Sequence, residues 1–219
     1  MPFNRATMSE GNSRRHWSLA PLTFIYRIVM GVRNKLFDWK ILPSEEFDTP
    51  VISVGNLTVG GTGKTPHTEY LVHLLKDKHK VALLSRGYKR KTKGFVLATT
   101  NSTAKDIGDE PYQIKAKFPD IHVAVDADRR HGIHRICKGD ASKDVEVILL
   151  DDAFQHRYVT PGVNIVLIDY NRPIYEDALM PMGLLREPMS SLDRANIIIV
   201  TKCPKDIKPI DFGVVTKHL

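Results

Sequence analysis

Residues 50–66 read P-V-I-S-V-G-N-L-T-V-G-G-T-G-K-T-P, and this stretch decides the fold. The β-branched run from Val51 to Val54 predicts a strand, and Tyr70, Leu71, Leu74 and Leu75 recur at helical spacing. Between them lies a glycine-rich segment ending in Gly63-Lys64-Thr65. Successive backbone N–H groups in such a loop make an anion nest at the positive end of a helix dipole, which suits nucleotide phosphates. The nest is expected to run through Thr58, Val59, Gly60, Gly61, Thr62, Gly63, Lys64 and Thr65. Lys64 is expected on the β- and γ-phosphates, and the Thr65 hydroxyl on Mg²⁺. Thr58 stands where the strict Walker A pattern has glycine, so the loop is a variant in which Gly60-Gly61 compensates. An ordinary glycine-rich turn is the bland alternative, but Lys-Thr at a helix start after a strand argues against it.

The chain has 219 residues, room for one α/β domain or for a domain and part of a second. Its 42% hydrophobic and 26% charged residues are ordinary for a globular protein. A net charge of +7 suits an anionic partner without choosing among nucleic acid, acidic membrane and phosphorylated substrate. Cys137 and Cys203 lie far apart with no metal-ligand spacing, so reduced thiols are expected.

Residues 1–16 are polar and basic and read as a disordered tail, with Met8 an alternative start. Over residues 17–37, Leu19, Leu22, Phe24, Ile25, Ile28, Val29, Val32 and Leu36 fall at helical spacing, with Arg27, Arg33 and Lys35 among them. The stretch is too short and too charged to span a bilayer, and no small-residue cleavage site follows it. Two readings stay open: an amphipathic helix packed on the core, or one lying in an anionic membrane interface.

Further strands are expected over 81–84, 95–98, 121–125, 145–150, 164–169 and 196–201. Arg86 and Tyr88 follow the second strand, so they either face the ligand crevice or simply turn the chain. Gly108-Asp109-Glu110-Pro111 opens a helix, where Asp109 reads equally as its N-cap or as a carboxylate that takes a proton from an attacking hydroxyl. His131 and His134 lack a third metal ligand nearby. The strand over 145–150 runs into Asp151-Asp152, the layout of a Walker B motif, whose hard oxygens suit Mg²⁺. His156 reads as a phosphate sensor or as a partly buried ring. The pair Arg186-Glu187 reads as a surface ion pair or as an approach to the metal. The segment after Pro204 is polar.

T-V-G-G-T-G-K-T-P, S-R-G-Y, G-D-E-P, L-D-D-A-F-Q-H and L-R-E-P, in this order, resemble the tetraacyldisaccharide 4′-kinases of lipid A biosynthesis. The resemblance covers roughly residues 17–203. It implies an α/β, P-loop NTPase-like fold with a mostly parallel sheet flanked by helices. It also implies an interfacial helix over 17–42, a kinase core over 43–203 and the start of a second subdomain at 204–219. The implied reaction moves the ATP γ-phosphate to the 4′-hydroxyl of a lipid disaccharide 1-phosphate. By the same resemblance Lys64 and Asp109 are catalytic, with Asp109 the base. Thr65, Asp151, Asp152 and Glu187 hold Mg²⁺, His156 lies near the nucleotide, and Arg86 and Tyr88 meet the substrate. A peripheral monomer at the cytoplasmic face of a Gram-negative inner membrane, with no nucleic-acid partner, is implied too. Ala153 stands where the family more often has glycine, which is tolerable unless that position needs positive φ. Members of the family run well beyond residue 219, and the part absent here holds a histidine that supports the catalytic aspartate. The chain is therefore expected to be a fragment. A nucleotide switch is the alternative class, but Thr201-Lys202-Cys203-Pro204 lacks the Asn and Asp of a base-reading N-K-x-D. A non-enzymatic adaptor would leave Asp151, Asp152 and Glu187 without a purpose.

Overall fold

The structure, a computed structural model, describes residues 17–139, 142 and 144–217. The expected tail over 1–16 lies outside the described residues. The strands are β1 (Val51–Asn56), β2 (Val81–Ser85), β3 (Val96–Leu97), β4 (His122–Val125), β5 (Val147–Asp151), β6 (Val163–Asp169) and β7 (Ile197–Thr201). They form one sheet in the order β3-β4-β2-β5-β1-β6-β7. Every neighbouring pair is parallel except β3 with β4. The expected α/β architecture with a mostly parallel sheet is the one observed.

The apolar runs form central strands because both faces of the sheet are covered. In β2, Val81 and Leu83 pack with Val72, Ile107 and Ile114 on one side. Ala82 and Leu84 point the other way, against Ile133 and Ile136. The covering helices are α2 (Lys64–Leu75), α3 (Ala104–Ile107) and α4 (Asp109–Lys117) on the first face, and α5 (Arg129–Lys138) on the second. Beyond β1, the loop over 170–195 folds back so that Leu179, Leu185 and Leu192 close over Val166, Ile168 and Phe154. The loop includes a 3₁₀ turn, Met189–Arg194. The segment after Pro204 forms α6 (Pro209–Lys217), anchored by Val215.

The amino-terminal helix, α1 (Ala20–Asp38), is docked by its polar groups. The Tyr26 hydroxyl donates to Arg186 O (2.7 Å), and Thr23 Oγ1 accepts from Met182 N (3.0 Å). Arg33 donates to Gln155 O (2.7 Å), while Arg157 reaches both Asn34 O and Asp38. Within α1 only Phe37 is fully buried. Leu22, Phe24, Ile25, Ile28, Val29 and Val32 are all at least half exposed. Packing of the apolar stripe on the core is therefore excluded, because the core-facing side of the helix is the polar one. Among the described residues no helix is long and apolar enough to cross a membrane.

Gly55 marks where β1 meets the chain leaving β5. A Cβ there would lie 2.5 Å from Phe154 Cβ and 3.0 Å from Phe154 N. Gly55→Ala is expected to destabilise the fold by about 1–3 kcal/mol through overpacking, read as a lower urea midpoint at constant m. An unchanged midpoint would mean that Phe154 moves aside freely.

Candidate active site

β1 and β5 pair in parallel with Val54 opposite Asp151, so the segments leaving their carboxyl ends start side by side. After β1 the loop turns through Gly63, at φ 87°, into α2, whose first residues are Lys64 and Thr65. The amides of that first turn have no intrahelical carbonyl to meet, which leaves them available to an anion.

The anion nest is shorter than expected. Val59 N donates to Leu184 O at 2.8 Å, and Thr58 forms an antiparallel bridge with Leu185. The Val59 amide is thus taken up in holding the 184–185 segment, and the Thr62 amide in a turn on Gly60 O, so neither is free for phosphate. Thr62 is buried, with Asn56 Nδ2 donating to its hydroxyl at 2.9 Å.

β5 ends at Asp151, and Asp152 follows in the left-handed region at φ 47°. Ala153 is not among the positive-φ residues, so nothing in its backbone demands glycine. Asp152 bridges Lys64 Nζ (3.4 Å) and Arg186 Nη1 (3.2 Å). Asp151 is buried, receives Ser85 Oγ on Oδ2 at 3.4 Å, and keeps Oδ1 buried without a partner. Burial, then the charges of Glu110 and Asp152, push its carboxyl up to about 6 against the pull of Lys64 and Arg129.

Asp109 is the first residue of α4, and Gly108 occupies the cap position with no side-chain cap bond. The N-cap reading therefore does not hold, and the exposed Asp109 carboxylate lines the cleft instead. Its placement depends on two glycines in contact. A Cβ on Gly108 (φ 92°) would lie 3.0 Å from Tyr88 O, and one on Gly87 (φ 68°) 2.9 Å from Ile107 O. S-R-G-Y and G-D-E-P are thereby joined backbone to backbone, with Arg86 and Tyr88 beside Asp109.

One cleft of about 910 Å³ collects Lys64, Arg86, Tyr88, Asp109, Asp151, Asp152 and His156. Burial, then the charge of Arg129, holds the His156 ring down to about 4, so it is neutral at physiological pH. Glu187 does not line the cleft. It is fully buried, in contact with Arg194 and 3.8 Å from Arg33 Nη1. Among the described residues no three His, Cys, Asp or Glu side chains converge as a metal-binding group. Glu187 sits in a buried pairing with two arginines, since a carboxylate so deep needs cationic partners of its own, and its Oε1, like Asp151 Oδ1, is a buried oxygen without a hydrogen-bond partner.

Glu110, Arg129 and Tyr26 are among the lining residues that the sequence reading did not assign to the site. Arg129 is buried, donates to Asp126 O (2.8 Å) and Asp151 O (3.3 Å), and is brought down to about 10 by burial. Its position past the end of β4 was the only available signal. Tyr26 carried none, because the helix orientation had to be seen.

The family model for tetraacyldisaccharide-1-P 4′-kinase matches residues 15–215. The tetraacyldisaccharide 4′-kinase of Phocaeicola vulgatus is 61% identical over 201 residues, which are 92% of this chain and 55% of that protein. That of Bacteroides fragilis is 58% identical over 212 residues, 97% of this chain and 56% of that protein. The chain thus spans about half the length of the curated relatives it matches. The crystal structure of "apo" form LpxK from Aquifex aeolicus in complex with ATP superposes with a TM-score of 0.78 at 39% identity, covering 84% of this chain and 58% of that one. With a matching family model along nearly its whole length, the chain belongs to the tetraacyldisaccharide-1-P 4′-kinase family.

Proposed function

We propose that the chain supplies the nucleotide site of a kinase that moves the γ-phosphate of ATP to the 4′-hydroxyl of a tetraacyldisaccharide 1-phosphate in lipid A biosynthesis. The observation that carries this reading is the meeting of Lys64, Asp109 and the Asp151-Asp152 pair in one cleft. Lys64 places positive charge on the β- and γ-phosphates. Asp109 accepts the proton of the 4′-hydroxyl as its oxygen bonds to the γ-phosphorus and the bond to ADP breaks. Arg86 and Tyr88, at the mouth, orient the sugar. His156 meets the nucleotide as a neutral ring.

The donor set fits Mg²⁺: Asp151 has a buried carboxylate oxygen without a partner, and Asp152 and the Thr65 hydroxyl add hard oxygens. When bound there, Mg²⁺ would neutralise charge developing on the phosphate oxygens.

The outward apolar face of α1 supports work as a peripheral protein at the cytoplasmic face of the inner membrane. Each large apolar side chain left in water forgoes about 1.5–3 kcal/mol of burial, so six on one helix favour an apolar covering. Exposed Arg27 and Lys35 add attraction to anionic headgroups. Arg33 does not, because its guanidinium is engaged with Gln155 and Glu187.

Transfer to a tetraacyldisaccharide 1-phosphate, assayed beside ATP and GTP hydrolysis without acceptor, tests the reaction. Asp109→Asn is expected to lower the transfer rate ~10²-fold or more while ATP affinity and melting temperature hardly move. Retained activity would remove Asp109 as the base.

Asp151 makes stability depend on pH. Its folded-state value of about 6 lies above the ordinary carboxylate range, so the ionised form is disfavoured by folding. Its contribution to the stability of the metal-free protein is therefore fully present below about pH 4, is lost as pH rises through about 6 and is level above, a loss of about 3 kcal/mol at most. Asp151→Asn should abolish this slope and raise the melting temperature at pH 8. A slope that persists would place the titrating group elsewhere.

Leu22→Ser/Ile25→Ser/Val29→Ser should cut binding to anionic vesicles about tenfold or more with little change in melting temperature, because these side chains are exposed. Early melting with vesicle binding intact would refute the interfacial reading.

A further inference from the structure

We infer that Lys202, at the end of β7, is a positioning residue that latches the phosphate loop in its anion-binding shape. The inference rests on the nucleotide-binding reading above. Lys202 Nζ donates to Gly61 O at 2.6 Å and to Asp169 Oδ2 at 2.8 Å. Its neighbour Thr201 donates through Oγ1 to Thr62 O at 2.9 Å. Two consecutive loop carbonyls are thus held from one strand end.

The pairing is more than a surface ion pair. Asp169 is 4% exposed and gathers Lys202, Arg172 (Nη2 at 3.2 Å) and the Asn171 amide (3.0 Å). Burial raises its carboxyl, but the Lys202, Asn171 and Arg172 contacts outweigh that and hold it below the usual range. Lys202 itself sits at φ 58°, a conformation a non-glycine residue keeps only where its surroundings fix it. Arg172 lies against the loop as well, 3.0 Å from where a Cβ on Gly60 would stand.

The consequence for a ligand follows from peptide geometry. In a planar trans peptide the N–H points opposite to the C=O. Holding the Gly61 and Thr62 carbonyls toward β7 directs the Thr62 and Gly63 amides away from it. The Thr62 amide closes a turn on Gly60 O at 3.1 Å, and the Gly63 amide opens the helix start. Released, these carbonyls are free to rotate into the nest, where a carbonyl oxygen repels phosphate. Lys202 therefore acts on the nucleotide through the loop.

The test titrates the chain with ATP and Mg²⁺ by calorimetry, beside melting curves of the unliganded variants. Lys202→Met is expected to raise the ATP Kd about tenfold, Lys202→Arg to stay within about threefold of the wild type, and Thr201→Val to raise it less than Lys202→Met. All three should melt near the wild type, whereas a merely structural role would lower melting temperature and leave Kd alone. Lys64→Ala separates the two readings. If it weakens ATP binding while Lys202→Met stays within twofold of the wild type, the latch is overturned. If Lys64→Ala binds ATP normally, the nucleotide reading itself fails. Should Lys202→Met not fold, an unchanged Kd in Thr201→Val overturns the latch.

Discussion

The parallel pairing of β1 with β5 is the constraint on which the cleft depends. Set in register at Val54 and Asp151, the two strands release the glycine-rich loop and the Asp151-Asp152 pair from adjacent positions. Gly55 lets them do so, because the chain leaving β5 passes its α-carbon through Phe154 with no room for a side chain. The other walls arrive by separate routes. Asp109 comes with the Gly87–Gly108 contact, and β7 reaches the loop from the opposite flank of β1. The Gly87–Gly108 approach is backbone against backbone, which fixes distances more firmly than flexible side chains can, whereas β7 holds the loop through the Thr201 and Lys202 side chains.

The first helix resolves a competition between two demands. Turning its apolar stripe inward would bury more hydrocarbon, yet the surface it meets is the rim of a charged cleft with Arg186, Gln155 and Glu187. Burying leucine and isoleucine there would strand those polar groups, at about 1–3 kcal/mol for each one left unpaired. Tyr26 and Arg33 satisfy them instead, and the apolar face is left outward. The helix is at once a wall of the site and an exposed hydrocarbon surface.

Much of this was legible in the sequence. Val81 to Leu84 and Ile148 to Leu150 are apolar throughout because both faces are covered, and such runs announce central strands. Gly63-Lys64-Thr65 and Asp151-Asp152 showed the loop and its acidic partner. What stayed hidden depends on where distant backbone lies. That the Val59 amide is taken by Leu184 O follows from a contact across the fold, which no local pattern encodes. Glu187 looked like a ligand by position and type, and its depth beside Arg33 and Arg194 could not be read from the sequence. Asp109 kept two equal readings until Gly108 was found at the cap position.

The charge balance of the cleft connects these placements. Lys64, Arg33, Arg86, Arg129 and Arg186 stand among Asp109, Glu110, Asp151 and Asp152, so the lining is nearly neutral. A lining of either sign alone would be costly to desolvate, and a purely basic one would hold ATP and ADP tightly without favouring the transfer between them. On the proposed kinase reading, the carboxylates would restrain that affinity and reserve the strongest stabilisation for charge that develops as the phosphoryl group moves. Burial of Asp151 among them lowers the stability of the fold at neutral pH. A site that keeps such a group does so for what it binds, since a neutral residue of the same shape would serve packing better.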